Sequence, residues 1–315
     1  MLLPTPSELR SRAAGSLAQA PDHRRLVLIS AGVSALIALA VSGVNFLLQQ
    51  GIGNTGGLSG LGTRSVLSTV QSLLTLAMTV LLPFWTFGYT AVTLKLAKHE
   101  PAQPKDLLAG FRAFLPVLRL FLLLEILYLV LAMICLYLGS MLLSFTPLAT
   151  GLHRTLMPIL LEGGDPATID PELLLTAMLP IFIGCLVLFA LVAIPLSYRL
   201  RMAQLCLLED PKAGARRAMV ASFRMTRKNA LALFRLDLQF WWFYLLEAVL
   251  AVIAYGDVLL PLLGLEMNAT AAYFLFYAVS LGLQLVLYRQ AKNPVYVTYA
   301  HAYLSLRTHA GEREE

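Results

Sequence analysis

The sequence predicts an all-α fold: a polytopic membrane helix bundle of six transmembrane helices, with short amphipathic cytoplasmic helices and both termini in the cytoplasm. Three observations predict it. Of 315 residues, 58% are hydrophobic and only 13% charged, about half the charge of an ordinary soluble domain. Six apolar stretches, about 26–48, 66–92, 114–145, 173–198, 230–255 and 269–288, each reach the roughly 20 residues that a bilayer demands. Lysine and arginine collect in alternate gaps between those stretches.

None of the six alternates cleanly as a strand would, so each is read as a helix. A water-soluble bundle would need six helices apolar on every face. The basic residues then set the orientation. Arg10, Arg12, Arg24 and Arg25 precede span 1, and Lys95, Lys98, Lys105 and Arg112 lie between spans 2 and 3. Arg199, Arg201, Lys212, Arg216, Arg217, Arg224, Arg227 and Lys228 lie between spans 4 and 5, and Arg289, Lys292, Arg307 and Arg313 follow span 6. The other three gaps hold only Arg64 and Arg154, together with the acids Glu162, Asp165, Asp170, Glu172, Asp257 and Glu266. The organisation that follows is a cytoplasmic head over 1–25, a membrane domain over 26–290 and a cytoplasmic tail over 291–315.

In the head, Thr5-Pro6-Ser7-Glu8 forms a capping-box pattern, with Thr5 as N-cap and proline at the first helical position. Leu9, Ala13 and Leu17 recur at four-residue spacing, a face expected to rest on the membrane interface. Span 1 is longer than the roughly 7–15 apolar residues of a signal peptide, so it is expected to be retained. Gly51 to Gly57 lacks the preceding strand of a phosphate loop and reads as a linker. Pro83 and Gly88 around Trp85 predict a kink in span 2, and span 4 contains Pro180 and Pro195. The acidic loop 146–172 reads as solvated surface.

Asp210-Pro211 is expected to open a cytoplasmic amphipathic helix over 211–227. Ala215, Met219, Ser222, Phe223 and Thr226 would share one face, with Arg217, Arg224 and Lys228 on another. Asn293-Pro294 should end span 6, after which Tyr296, Ala300, Tyr303 and Leu304 form an interfacial strip ending at Arg307.

Ionisable groups inside spans cost a few kcal/mol and usually face protein. Arg119 and Asp237 fall at similar depth, roughly 8–10 Å from the inner interface, which predicts that they pair. Glu125 falls near the midplane, where it would be protonated or bonded to a neighbouring helix, and Glu247 falls nearer the outer side. Arg235 is shallow enough to snorkel. The cysteines Cys135, Cys185 and Cys206 and the five histidines carry no metal-ligand spacing, and there is no triad and no phosphate loop. The expectation is therefore a protein without catalytic residues, metal or cofactor, and without a nucleic-acid partner.

Pro195-Leu196-Ser197-Tyr198-Arg199, Glu209-Asp210-Pro211, Ser222 and the run Leu233 to Trp241 resemble the domain-of-unknown-function 975 family of bacterial membrane proteins. Ser7-Glu8-Leu9-Arg10, Gly110-Phe111-Arg112 and Asn293-Pro294 through Tyr303 are similar to it too. Lys228 and Gln239 depart from the pattern, where the family leads one to expect glycine and serine. The resemblance implies a multi-span protein of the bacterial cytoplasmic membrane and supplies no catalytic residues. The functional expectation is a non-enzymatic component that organises or senses the membrane, or scaffolds a protein partner at its cytoplasmic face. Arg216, Arg217, Arg224, Arg227 and Lys228 are its contact set for anionic phospholipid headgroups or that partner. The alternative is a small transporter or permease subunit using Glu125 and Asp237 along a polar path.

Overall fold

A computed structural model of the chain describes residues 3–54, 61–146, 150, 154, 171–255 and 269–311. Every regular element among these residues is helical. In chain order they are α1 (Pro6–Ala18), α2 (His23–Asn54), α3 (Leu61–Ala97), a 3-10 turn (Pro104–Leu108), α4 (Ala109–Arg112), α5 (Phe114–Leu143) and α6 (Pro171–Leu200). Then come α7 (Ala203–Glu209), α8 (Ala215–Thr226), α9 (Ala230–Gln239), α10 (Trp241–Ala254), α11 (Ala269–Leu287), a π-helical turn (Tyr288–Lys292) and α12 (Asn293–Gly311).

Among the described residues, five helices are long and apolar enough to cross a membrane: His23–Leu48, Ser65–Ala97, Phe114–Leu143, Met178–Glu209 and Ala271–Thr308. A sixth exists only if α9 and α10 are counted together, and they meet at 65°. The span expected over 230–255 thus consists of two helices with a bend between them. Phe240 leaves the helical region at φ −106° and ψ 15°, and its N–H returns to Asp237 O rather than to residue 236. The chain forms two compact units, residues 1–118 with 202–315, and residues 119–201.

In the first unit, α2 and α3 run antiparallel, and the Trp85 indole donates to Ser30 O at 3.2 Å. Helix α3 continues unbroken through Pro83. Gly88 lets the loop after α3 fold back onto it: a Cβ there would sit 1.8 Å from Leu107 O. Gly110 meets α3 the same way, its Cβ position 2.0 Å from Phe84 O. Phe84 then stacks between Phe111 and Phe114, with ring centroids 5.6 and 4.6 Å away. At the other end of the chain, α10 and α11 form a hairpin in which Ser280 Oγ donates across to Leu250 O at 2.7 Å.

Several expected boundaries move. Residues Gly51 to Asn54 are helical and belong to α2, so the linker expected from Gly51 does not begin there; positions 55–57 lie outside the described residues, as does most of the acidic loop 146–172. Asn293-Pro294 does not end the helix. The π turn, with its wider i to i−5 spacing, gives the proline ring room, and α12 carries straight on. Of the strip expected on α12, Ala300 and Tyr303 are buried, along with Val295, Val297, Tyr299, Ala302 and Leu306, while Leu304 is half-buried and Tyr296 is exposed. What covers the buried residues includes α1, which docks on α12 through Leu9, Ala13, Ser16 and Leu17. Ser16 Oγ lies 2.8 Å from His301 Nε2. The apolar face of α1 is thus spent on protein, not on the membrane interface.

The second unit contains most of α5 and all of α6. Small residues bring the two together, as in many membrane helix pairs. A Cβ at Gly139 would lie 3.1 Å from Cys185 Sγ, and Cys185 Sγ reaches Leu136 O at 3.9 Å. Leu143 packs over Ile181 and Cys185.

Candidate membrane-surface site

The basic segment after α6 is built from the turn upward. Asp210 accepts from the Ala213 N–H through both its carboxylate, at 3.0 Å, and its carbonyl, at 3.3 Å. With Pro211 second, this is the residue order that favours a β-turn. The pair therefore caps a turn and not a helix. Gly214, at φ 81°, redirects the backbone, and α8 begins at Ala215, four residues later than expected.

The buried face of α8 consists of Ala215, Ala218, Ser222 and Thr226. Small side chains let it lie close on α7, where the Met202 N–H donates to Ser222 Oγ at 3.1 Å. Phe223 was expected on that face and instead is 44% exposed, as is Val220. At 100° per residue, Phe223, Arg216, Arg227, Val220, Arg224, Arg217 and Lys228 follow one another around the side opposite Ser222. All five predicted contact residues are exposed there. Lys228 needs no glycine-like conformation, because His99 and Gly214 alone take positive φ among the described residues. Gly110-Phe111-Arg112 shows the same arrangement: the small residue is buried, while the aromatic and the arginine are exposed.

Two polar nodes in the same unit were not anticipated from the sequence. Glu209 accepts from Lys98 Nζ at 2.6 Å, Tyr303 Oη at 2.6 Å and Arg307 Nη1 at 2.7 Å, joining α7 and α12 to the turn that follows α3. The signal was present, since Glu209 and Asp210 are the two acids of the eight-cation gap between spans 4 and 5. The second node is Lys292. Its ammonium sits 4.1, 4.6 and 5.9 Å from the ring centroids of Tyr288, Tyr89 and Tyr296, a cation–π cage. Tyr89 donates to Asn293 Oδ1 at 2.5 Å, and Asn293 Nδ2 donates to His23 O at 2.6 Å. Tyrosines four residues either side of a lysine on one helix were the readable clue.

The intramembrane candidates divide between the units. Arg119 and Glu125 are exposed on α5 in the unit 119–201. Asp237 lies in the other unit on α9, before the 65° bend. Tyr244 Oη donates to Asp237 Oδ1 at 3.4 Å and lies 3.2 Å from Tyr299 Oη. Glu247 interacts with the Tyr288 hydroxyl and with Lys292, level with the C-terminal end of α11. A groove of about 630 Å³ between α2 and α3 is lined by residues such as Ile37, Val41, Met78 and Leu82.

Asp106 anchors the loop beside this region. It accepts from Lys95 Nζ at 2.9 Å and from the Gln103 N–H at 2.8 Å. Burial pushes its carboxyl upward, but the Gln103 amide and the Lys95 ammonium outweigh that and hold it below the usual carboxylate range.

These features define the class: a helical protein with five to six helices compatible with a multi-pass membrane protein. The chain belongs to the family described as Protein of unknown function (DUF975), which it matches over residues 4–296. No curated protein and no solved structure matches it.

Proposed function

We propose that the chain is a non-enzymatic component of a bacterial cytoplasmic membrane, with both termini in the cytoplasm, that organises the bilayer through the outer face of α8. The observation that carries this reading is the division of α8: its small residues are buried on α7, leaving Arg216, Arg217, Arg224, Arg227 and Lys228 around Val220 and Phe223. Cations near an anionic leaflet gain about 1 kcal/mol each, and an aromatic ring among them adds shallow insertion. The exposed Phe111-Arg112 pair provides a second anchor of the same chemistry. The sorting of lysine and arginine along the sequence supports the orientation.

The test uses the full chain reconstituted in bilayers of zwitterionic lipid containing a minority of phosphatidylglycerol. After gentle extraction, mass spectrometry of the retained lipid should show enrichment of phosphatidylglycerol. Replacing Arg216, Arg217, Arg224, Arg227 and Lys228 by glutamine should abolish the enrichment, as should raised salt. Retained lipid identical to the bulk in the unmodified protein would reject the reading. Orientation is checked with single cysteines at positions 12 and 307 in a background lacking Cys135, Cys185 and Cys206. Both should react with an impermeant maleimide only from the cytoplasmic side.

A further inference from the structure

We propose that α9 is an in-plane helix lying at the boundary of headgroups and acyl chains, and not the first half of a membrane span. Its occupant is the bilayer itself. The proposal rests on the reading that this end of the molecule faces an aqueous compartment at a membrane surface.

Helix α9 has two unlike faces. Leu233 and Leu236 are fully buried, and Phe240, just past its end, is nearly so. Helix α1 packs on α9, and the Arg10 guanidinium lies 5.7 Å from the Phe240 ring centroid. On the opposite side Leu231, Phe234 and Leu238 are 62%, 40% and 53% exposed, at the three- and four-residue spacing of one helical face. Exposed apolar area of this kind is expensive in water and marks an interaction surface.

Helix α1 decides which medium lies where. Its outer face carries Ser7, Glu8, Arg10, Ser11 and Arg12, all exposed. If α9 crossed the bilayer, α1 would be carried into hydrocarbon with three ionised side chains, each costing several kcal/mol. With α9 in the plane, α1 stays in water above it and the Leu231–Phe234–Leu238 face meets the acyl chains below. The 65° bend at Phe240 then marks the point where the chain turns into the membrane, and Trp241 and Trp242 stand at that point. Tryptophan favours this depth. Arg235, exposed on the apolar side of α9, reaches phosphates by snorkelling along its own methylenes.

The test measures depth. Spin labels are placed one at a time at positions 231, 234 and 238, and as internal controls at 245, 249 and 252 on α10, in the full chain lacking its native cysteines. Power saturation with oxygen and with a water-soluble nickel chelate reports depth in reconstituted bilayers. The α9 positions should share one depth at the headgroup boundary, while the α10 positions descend by about 10 Å over seven residues. A similar descent from 231 to 238 would overturn the proposal. So would equal depths at the full nickel accessibility of open water. The α9 depths should be the same with and without phosphatidylglycerol, so failure of lipid enrichment at α8 leaves this measurement independent.

Discussion

Gly88 leaves no room for a methyl group. Its Cβ position falls well inside contact distance of the Leu107 carbonyl, which is backbone and cannot rotate away. Gly88→Ala should therefore separate the loop from α3 and destabilise the fold by about 3 kcal/mol, the upper range of overpacking, seen as a lowered melting temperature in detergent. Gly15 and Gly32, with nothing within 4 Å of their Cβ positions, serve as tolerant controls. Glu209 is a residue of a different kind. Its carboxylate is 10% exposed, while Lys98 and Arg307 are 30% and 57% exposed. Glu209→Gln leaves two partly solvated cations without their shared anion, and an expected loss of about 2 kcal/mol follows. Tyr303→Phe removes one neutral donor and should cost less, about 1 kcal/mol. Asp106 gives a pH dependence. Because its folded pKa lies below its unfolded one, its stabilisation is complete above the ordinary carboxylate range, near pH 4, and is lost as pH falls through the lowered value. Melting curves of the unmodified chain and of Asp106→Asn should differ at neutral pH and converge in acid. An undiminished gap at low pH would contradict the assignment.

At the scale of elements, Ser280→Ala tests the α10–α11 hairpin. Loss of its bond to Leu250 O should cost about 1 kcal/mol, the usual size for a hydrogen bond between membrane helices. Which elements could be read from sequence depended on whether their ends were set locally. The capping box at Thr5 is local and stands as expected: Glu8 N–H donates to Thr5 Oγ1 at 3.4 Å, and Thr5 N–H to Glu8 Oε2 at 3.1 Å. The long apolar helices α2, α3, α5 and α6 were legible because length and composition alone define them. The bend in 230–255 was not. That stretch contains neither glycine nor proline; the break at Phe240 comes with the packing of α1, over 200 residues away in sequence. The start of α8 failed for a nearer reason. Asp-Pro caps a turn as readily as a helix, and only Gly214 shows which was meant. For the surface of α8, the cations were legible from composition, whereas the exposure of Phe223 depended on where α7 lies.

At the scale of the molecule, the N-terminal head and the C-terminal tail form a single structure. Leu3 N–H donates to Asn229 Oδ1 at 3.3 Å, Ser16 meets His301, and Asn293 holds the first residue of α2 through His23 O. The head and tail read from sequence as separate cytoplasmic segments; in the fold they cover one another's apolar faces. Truncation after Lys292 would strip α1 of its partner and leave Glu209 without Tyr303 and Arg307. The expected outcome is loss of a monodisperse peak in size-exclusion chromatography of the solubilised protein, and an unchanged peak would argue against this shared core.

The π turn between α11 and α12 has a consequence for tolerance to length change. The apolar part of this continuous rod runs for 38 residues from Ala271 to Thr308, about 57 Å, close to twice the thickness of a hydrocarbon core. In an α-helix, removing one residue rotates everything beyond it by about 100°. A π turn is one residue longer than the α turn it replaces, so it accommodates an extra residue without changing the phase on either side. Deleting the exposed Gln290 should convert Tyr288–Lys292 to α-helical pitch while the buried faces before and after keep their angular register. Deleting Leu283 instead would swing Tyr299, Tyr303 and Leu306 out of the interior. The long rod should therefore be forgiving at one site and unforgiving elsewhere along its length, a pattern that a scan of single-residue deletions would reveal directly.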